Sequence, residues 1–446
     1  VSEPRHRRFV NFLQEFSIPL LVGVVVAMLA ANLLPYWYGH AVHWKPFGDL
    51  QVFGHDVTLH FLVNDVFMVL FFGIAAKEIT ESCLPGGSLS PMKKAINPIL
   101  ATLGGVAGPV IVFFLGLWAL FQSGVYSPEL HDVDALRRGW GVPTATDIAL
   151  AWLVARAVFG NGHPAINFLL LLAVADDGIG LVIIAVFYGD PSLPVRPEFL
   201  TLIAAAMAFA FALRKLGVKY WAPYIWVGGP LAWLGLMLAH LHPALALVFV
   251  VPFLPGPHRD IGLFAKEDEV DLMGPELAAD LHYEHSPLHN FEVRHKLFVD
   301  FGLFFFAFTN AGVSLAGIGP MTWLILGSLV IGKVVGISSL GLAAIRLGFP
   351  LPNEMGVREL VMAALVAALG LTVALFVAGA AFVDPDLLGQ AKMGALFSGF
   401  VGLVAIVLGR ALGMGKARAP AAAGADAAPG GARVADAPPL RAPSRE

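Results

Sequence analysis

Of 446 residues, 57% are hydrophobic and only 13% charged, about half the charged share of a soluble domain, which excludes a water-soluble globule. A net charge of −4 offers no basic stripe to neutralise phosphates, which excludes a nucleic-acid partner. The single cysteine, Cys83, excludes an intramolecular disulfide framework and a multi-cysteine metal site.

The chain opens on Arg5-His6-Arg7-Arg8, followed by an apolar run from Ile18 to Leu34. That run is longer than a signal-peptide core and no small-residue cleavage pattern closes it, so it reads as a retained first span. About twelve apolar segments follow one another, each able to cross a hydrocarbon layer of ~30 Å as a helix. Their centres lie near Val25, Val69, Phe113, Ala151, Leu172, Ala208, Leu231, Leu247, Phe305, Leu329, Val366 and Val401. The fold class is therefore an all-α, polytopic membrane protein. The seventh and eighth segments are hard to separate around His240-Leu241-His242-Pro243. Four parts emerge: an arm over 1–15, a transmembrane domain over 16–413, a long loop within it over 256–296, and a tail over 414–446. The tail is Ala, Pro, Gly and Arg without period; it lacks the apolar residues that would offset ordering entropy and is expected to be disordered.

Lys and Arg in the loops set the orientation. With the N-terminus inside, Lys93-Lys94, the group Arg214, Lys215 and Lys219, the pair Arg346 and Arg358, and Arg410 to Arg418 fall on the cytoplasmic side. Arg137, Arg138 and Arg196 are exceptions. Both termini are then cytoplasmic, and so is the 256–296 loop.

Ionisable residues inside apolar spans are costly and mark pathways. Asn64-Asp65 and Lys77-Glu78 flank the second span and either line a cytoplasmic funnel or pair at the interface. In the fourth, Gly141-Val142-Pro143-Thr144-Ala145-Thr146-Asp147 joins a weak helix former to a residue without a backbone donor. The segment reads either as a broken helix, with Thr146 and Asp147 beside free backbone groups, or as an ordinary N-cap. In the fifth, Asp176-Asp177 lies between Leu169–Leu172 and Leu181–Phe187. Adjacent helical residues point about 100° apart, so two carboxylates line one cavity. They resist ionising together. They can hold protons at one time and a hard cation at another, because oxygen ligands suit such ions; a structural pair satisfied by backbone or a buried lysine is the other reading.

The 256–296 loop contributes His282, Glu284, His285, His289, Glu292 and His295, which either titrate near neutral pH or form a solvated surface. In the tenth span Lys333 is far from both ends and calls for a carboxylate, Asp176 or Asp177. In the eleventh, Gly370 interrupts an apolar run and Thr372 supplies a hydroxyl; close helix packing would also explain the glycine. The interruptions in spans four and eleven lie seven spans apart. Spans three to five and ten to twelve then read as inverted repeats with a midplane site between them.

These residues resemble the bacterial NhaA family of sodium/proton antiporters. The resemblance covers about Phe9 to Gly413. It rests on Gly139-Trp140-Gly141-Val142-Pro143-Thr144-Ala145-Thr146-Asp147-Ile148-Ala149, Ala175-Asp176-Asp177-Gly178, Thr309-Asn310-Ala311-Gly312-Val313-Ser314-Leu315 and Gly332-Lys333-Val334-Val335-Gly336. It implies crossed, discontinuous helices 4 and 11, broken at Pro143 and near Gly370 and Thr372, with Asp147 balancing the half-helix ends. It implies that Asp177 is the main cation and proton carboxylate, that Asp176 pairs with Lys333, and that Thr146 sits beside them. It implies electrogenic export of sodium or lithium against protons in a bacterial inner membrane, with no cofactor and no covalent step. A homodimer is also implied, with a hairpin near Trp44–Thr58 in the contact. Asp65, Glu78, Glu292 and His295 are the pH-sensing candidates. The family's second span usually reads Gly-Leu-Glu-Val-Lys-Arg-Glu, whereas Gly73-Ile74-Ala75-Ala76-Lys77-Glu78 lacks the first acid, and the loop before Leu297 is longer than usual. The transport core therefore carries over and the pH profile does not. The alternatives are an organic-anion symporter coupled to sodium and an intramembrane aspartyl protease; the latter needs aspartates on two different helices.

Overall fold

The computed structural model describes residues 13–14, 17–84, 92–189, 193–256, 286–352 and 355–414. The expected arm apart from residues 13 and 14, the loop positions His282, Glu284 and His285, and the tail from residue 415 lie outside the described residues, as do the side chains of Lys93 and Lys94.

The chain is a bundle of helices. In order these are α1 (Ile18–Leu33), α2 (Pro35–Val42), α3 (Leu59–Ser82), α4 (Met92–Gln122), α5 (Val133–Thr144), α6 (Ile148–Phe159) and α7 (Pro164–Phe187). Then come α8 (Pro197–Lys215), α9 (Tyr224–Leu238), α10 (Pro243–Phe253), α11 (Pro287–Asn310), α12 (Pro320–Arg346), α13 (Val357–Ala367), α14 (Leu371–Ala381) and α15 (Pro385–Ala411). Proline at the first turn starts many of them, where its missing donor costs nothing. Each of the twelve expected centres lies in a helix or a broken helix pair. Among the described residues, six helices are long and apolar enough to cross a membrane, and two bent pairs raise the number to eight. The helices α1, α9 and α10 are shorter.

Two features depart from the sequence reading, and one join that it left open is resolved. The all-α class needs one amendment: β1 (Gln51–Val52) and β2 (His55–Asp56) form a small antiparallel hairpin. It turns at Phe53-Gly54, both at positive φ, where Gly54 carries no steric cost. The loop ends ten residues earlier than expected, because Ser286 accepts the His289 N–H at 3.2 Å and Pro287 occupies the first turn of α11. Glu292 and His295 are therefore helical, and their polarity hid the start of the helix. The unclear join after α9 is a tight turn with His240 at φ 59°.

Packing of α12 on α4 is dictated by glycine. A Cβ at Gly104 would strike Gly336 O, one at Gly108 would strike Gly332 O, and the reverse substitutions meet the same backbone. Two glycines four residues apart on each helix let the backbones touch. A π-turn over Ser328–Gly332 immediately precedes Lys333, a local rewinding common at functional positions.

Candidate functional site

Both expected interruptions exist, and they touch. The pair α5–α6 bends by 47° and so does α13–α14. In the first, the chain tightens into a 3₁₀ turn over Gly139–Thr144 and runs extended through Ala145 and Asp147. In the second, Ala368–Gly370 separates the halves. The Asp147 N–H donates to Leu369 O at 2.6 Å, and Thr146 Oγ1 donates to Ala367 O at 2.9 Å. A side chain at Gly370 would meet Ala145 O at 2.9 Å, so the break requires glycine for close approach. Its N–H donates to Ser398 Oγ at 3.2 Å.

One carboxylate serves both half-helix starts. Asp147 Oδ1 accepts the Leu150 N–H at 3.1 Å; Oδ2 accepts the Thr372 N–H at 3.2 Å and the Thr372 hydroxyl at 2.8 Å. Helix N-termini present unpaired donors and a partial positive charge, and Asp147 satisfies α6 and α14 together. The broken-helix and N-cap readings of this segment are both true.

Behind the breaks lies a buried ion pair. Lys333 Nζ donates to Asp176 Oδ2 at 2.6 Å and to Thr146 Oγ1 at 2.7 Å. Lys333 is 0% exposed and Asp176 1%. Two charges leave water at a cost of several kcal/mol each, so the pair holds only because the partners are so close. Thr146 ties the pair to the break, and α12 brings the ammonium in through its glycine contact with α4.

Asp177 faces elsewhere. It lines a small pocket with Phe71, Phe72 and Ala75 of α3, Leu181 and Ile184 of α7, and Val373 of α14. The pocket has about 10 Å³ of room for water-sized centres, on the scale of one water. Asp177 Oδ1 is buried and accepts no hydrogen bond among the described residues, and the same holds for Asp176 Oδ1. Asp176, Glu78, Asp147 and Lys333 are near enough to act on Asp177 electrostatically. The arrangement offers a hard cation carboxylate and hydroxyl oxygens, next to an ammonium that competes for the same carboxylate.

The pH-sensing candidates do not form one group. Glu292 forms an ion pair with Lys77, which also contacts Glu81 at 2.5 Å, and Lys296 contacts Glu292 at 3.1 Å. Glu78 lies within electrostatic range of all four. His295 bonds Phe291 O at 2.8 Å, and its ring centroid sits 4.8 Å from that of Trp221. Asp65 is at the opposite end of α3, 4.0 Å from His242, with its carbonyl bonded by Trp233. Asp65 and Glu78 thus cannot line one funnel mouth, because thirteen helical residues separate them by about 20 Å.

Sequence reasoning missed Glu81, Lys296 and Ser398. The first two sit four residues from Lys77 and Glu292, a spacing that brings helical side chains together and was readable. Nothing local pointed to Ser398. In the hairpin, Lys45 pairs with Asp56 at 2.9 Å and Gln51 adds a bond at 3.0 Å. The Lys45 and Gln51 bonds hold the Asp56 carboxyl below its usual range, and the Asp56 carboxylate raises Lys45. Around them Tyr36, Trp44, Phe47 and Phe53 are exposed.

Residues 7–411 match the family model described as Na+/H+ antiporter 1. The chain is similar to the Na(+)/H(+) antiporter NhaA of Geobacter sulfurreducens, with 57% identity over 91% of this chain and 98% of that protein. It is similar to the same-named protein of Desulfitobacterium hafniense at 54%, over 92% and 98%. A solved structure of the sodium proton antiporter MjNhaP1 from Methanocaldococcus jannaschii is 17% identical with a TM-score of 0.47, over 92% of this chain and all of that one.

Proposed function

The chain belongs to the Na+/H+ antiporter 1 family, and from that premise we propose that it exports sodium or lithium in exchange for protons by competition at Asp176 and Asp177. The carrying observation is the buried Lys333–Asp176 pair beside Asp177, whose Oδ1 lacks a donor among the described residues and whose pocket is lined by Val373 of the half-helix α14. A cation bound by Asp177, Asp176 and Thr146 needs both carboxylates ionised and Asp176 released from the lysine. Asp177 gives up its proton as the cation enters, Lys333 gives up a second once Asp176 has left it, and both protons return as the cation departs. Low dielectric supports the competition, since two adjacent bare carboxylates repel one another and either a proton or a bound cation relieves that repulsion. More than one proton per cation makes the exchange electrogenic.

Asp147 keeps the two half-helix starts neutralised while α5–α6 and α13–α14, as crossed helices of two inverted repeats, rock between access states. Twelve spans, both termini in the cytoplasm of a bacterial inner membrane, and a homodimer joined through the Trp44–Thr58 hairpin complete the reading. The exposed aromatic residues around that hairpin support the contact. Glu78 and Glu292, clustered with Lys77, are the pH-sensing groups of the cytoplasmic end; Asp65 and His295 act apart from them.

The test is proton release when sodium is added to purified protein. Wild-type protein releases protons and Asp177→Asn does not. Normal exchange by Asp177→Asn in vesicles would show that the ion carboxylate is assigned wrongly.

A further inference from the structure

Arg138 is one of the three basic residues that break the loop charge bias, and topology does not explain it. Its neighbour Arg137 is exposed and pairs with Asp134 at 3.5 Å. Arg138 turns inward: Nε donates to Ala381 O at 3.2 Å and Nη2 to Gly189 O at 3.4 Å. Ala381 is the last residue of α14, so the guanidinium meets the negative end of that helix. The backbone carbonyl of Arg138 accepts from Tyr188 Oη at 2.6 Å, and the same phenol oxygen accepts the Gly141 N–H at 2.8 Å. Tyr188 is 2% exposed. A side chain at Gly141 would collide with its hydroxyl, so the glycine serves this contact as well as weakening the helix.

Four hydrogen bonds therefore knot three segments: the turn at 138–141, the end of α7 at 188–189, and the end of α14. The same three segments meet at the ion site. There, Thr146 and Asp176 are bridged by Lys333, and Asp147 is bonded to Thr372. Each segment is thus tied twice, once at the site and once at this knot. Tyr188 lies eleven residues beyond Asp177, about 17 Å along a helix.

We infer that Arg138 and Tyr188 are positioning residues of the ion site, setting the register of α7 and α14 against the broken helix that carries Thr146 and Asp147. Neither touches the ion. They act through the helices, which transmit displacement because a hydrogen-bonded helix does not stretch. The knot ties α7 and α14 to the broken helix independently of the site's own bonds, which must break in every transport cycle.

The inference rests on the antiport reading and is tested on the full chain in proteoliposomes. Sodium-driven proton exchange is measured for wild type, Tyr188→Phe, Arg138→Ala, Arg138→Lys and the Tyr188→Phe/Arg138→Ala double variant, alongside thermal unfolding. Tyr188→Phe is expected to raise the KM for sodium roughly three- to tenfold, the effect of losing buried hydrogen bonds, with the maximal rate within about twofold of wild type. Arg138→Lys should fall between wild type and Arg138→Ala, since an ammonium lacks the fork that reaches two carbonyls. The double variant should be little worse than the worse single, because both act on one knot. A lowered unfolding temperature with wild-type KM in Tyr188→Phe would reduce the knot to a structural brace and overturn the inference. If Arg138→Ala fails to fold, Tyr188→Phe and Arg138→Lys decide alone. Absence of exchange in wild type would sink the antiport reading and the inference with it, an outcome distinct from an unmoved KM.

Discussion

Two acids adjacent in the chain have different surroundings. Asp176 is locked to Lys333 and Asp177 is open to a pocket. The sequence shows two carboxylates and one ammonium in apolar spans. Helix geometry says the acids point about 100° apart, so only one can meet the lysine head-on. Which one depends on how α12 is rotated against α7, and the glycine contact with α4 decides that. Removing one member of a buried pair leaves an unpaired charge and costs about 3–5 kcal/mol. Lys333→Ala should therefore destabilise strongly, as read by chemical or thermal unfolding in detergent. Asp176→Asn on that background should recover much of the loss, since no bare charge remains. A double variant as unstable as Lys333→Ala would mean that packing, not charge, sets the cost. Thr146 was legible only as a hydroxyl near a break; its bond to the lysine was not.

Among the elements, the broken helices were the most readable because glycine, proline and threonine act locally. Pro143 removes a donor and Gly370 admits the Ala145 carbonyl. The start of α11 was not readable, since its charged first turns resemble a loop until Lys77 of α3 is seen against Glu292. Backbone contact between α4 and α12 makes its own prediction. Gly336→Val should abolish folded, active protein, because the added atoms meet the Gly104 carbonyl. Gly327→Ala, with nothing within 4 Å of its Cβ, should be neutral or slightly stabilising. Purified yield and unfolding temperature separate the two. The hairpin carries a pH prediction. Asp56 has a lowered folded-state pKa, so its contribution is complete above its unfolded value of about 4 and fades as pH falls through the folded value. Hydrogen-exchange protection of the hairpin amides should drop in that acid range in wild type. Asp56→Asn should show lower protection that no longer varies there.

For the molecule as a whole, binding of the ion to the folded state alone makes stability depend on sodium. At one hundred times the dissociation constant the gain is about 2.7 kcal/mol. Sodium should raise the unfolding temperature at alkaline pH and progressively less as protons compete at lower pH. Asp177→Asn should show no such shift, and a sodium shift independent of pH would refute competition at the site. The sequence by itself determined that the chain crosses a membrane, where its apolar segments lie, where two helices break and that Asp147, Asp176 and Lys333 are buried. Each of these follows from local composition, since the cost of an apolar residue in water or a charge in lipid is paid at the residue itself. Tertiary structure alone decided that the two breaks share Asp147, that Lys333 takes Asp176, and that Arg138 and Tyr188 fasten the far ends of the same segments. Those facts require contacts between residues up to 243 positions apart, and such contacts depend on how whole helices rotate and approach, which no local window encodes.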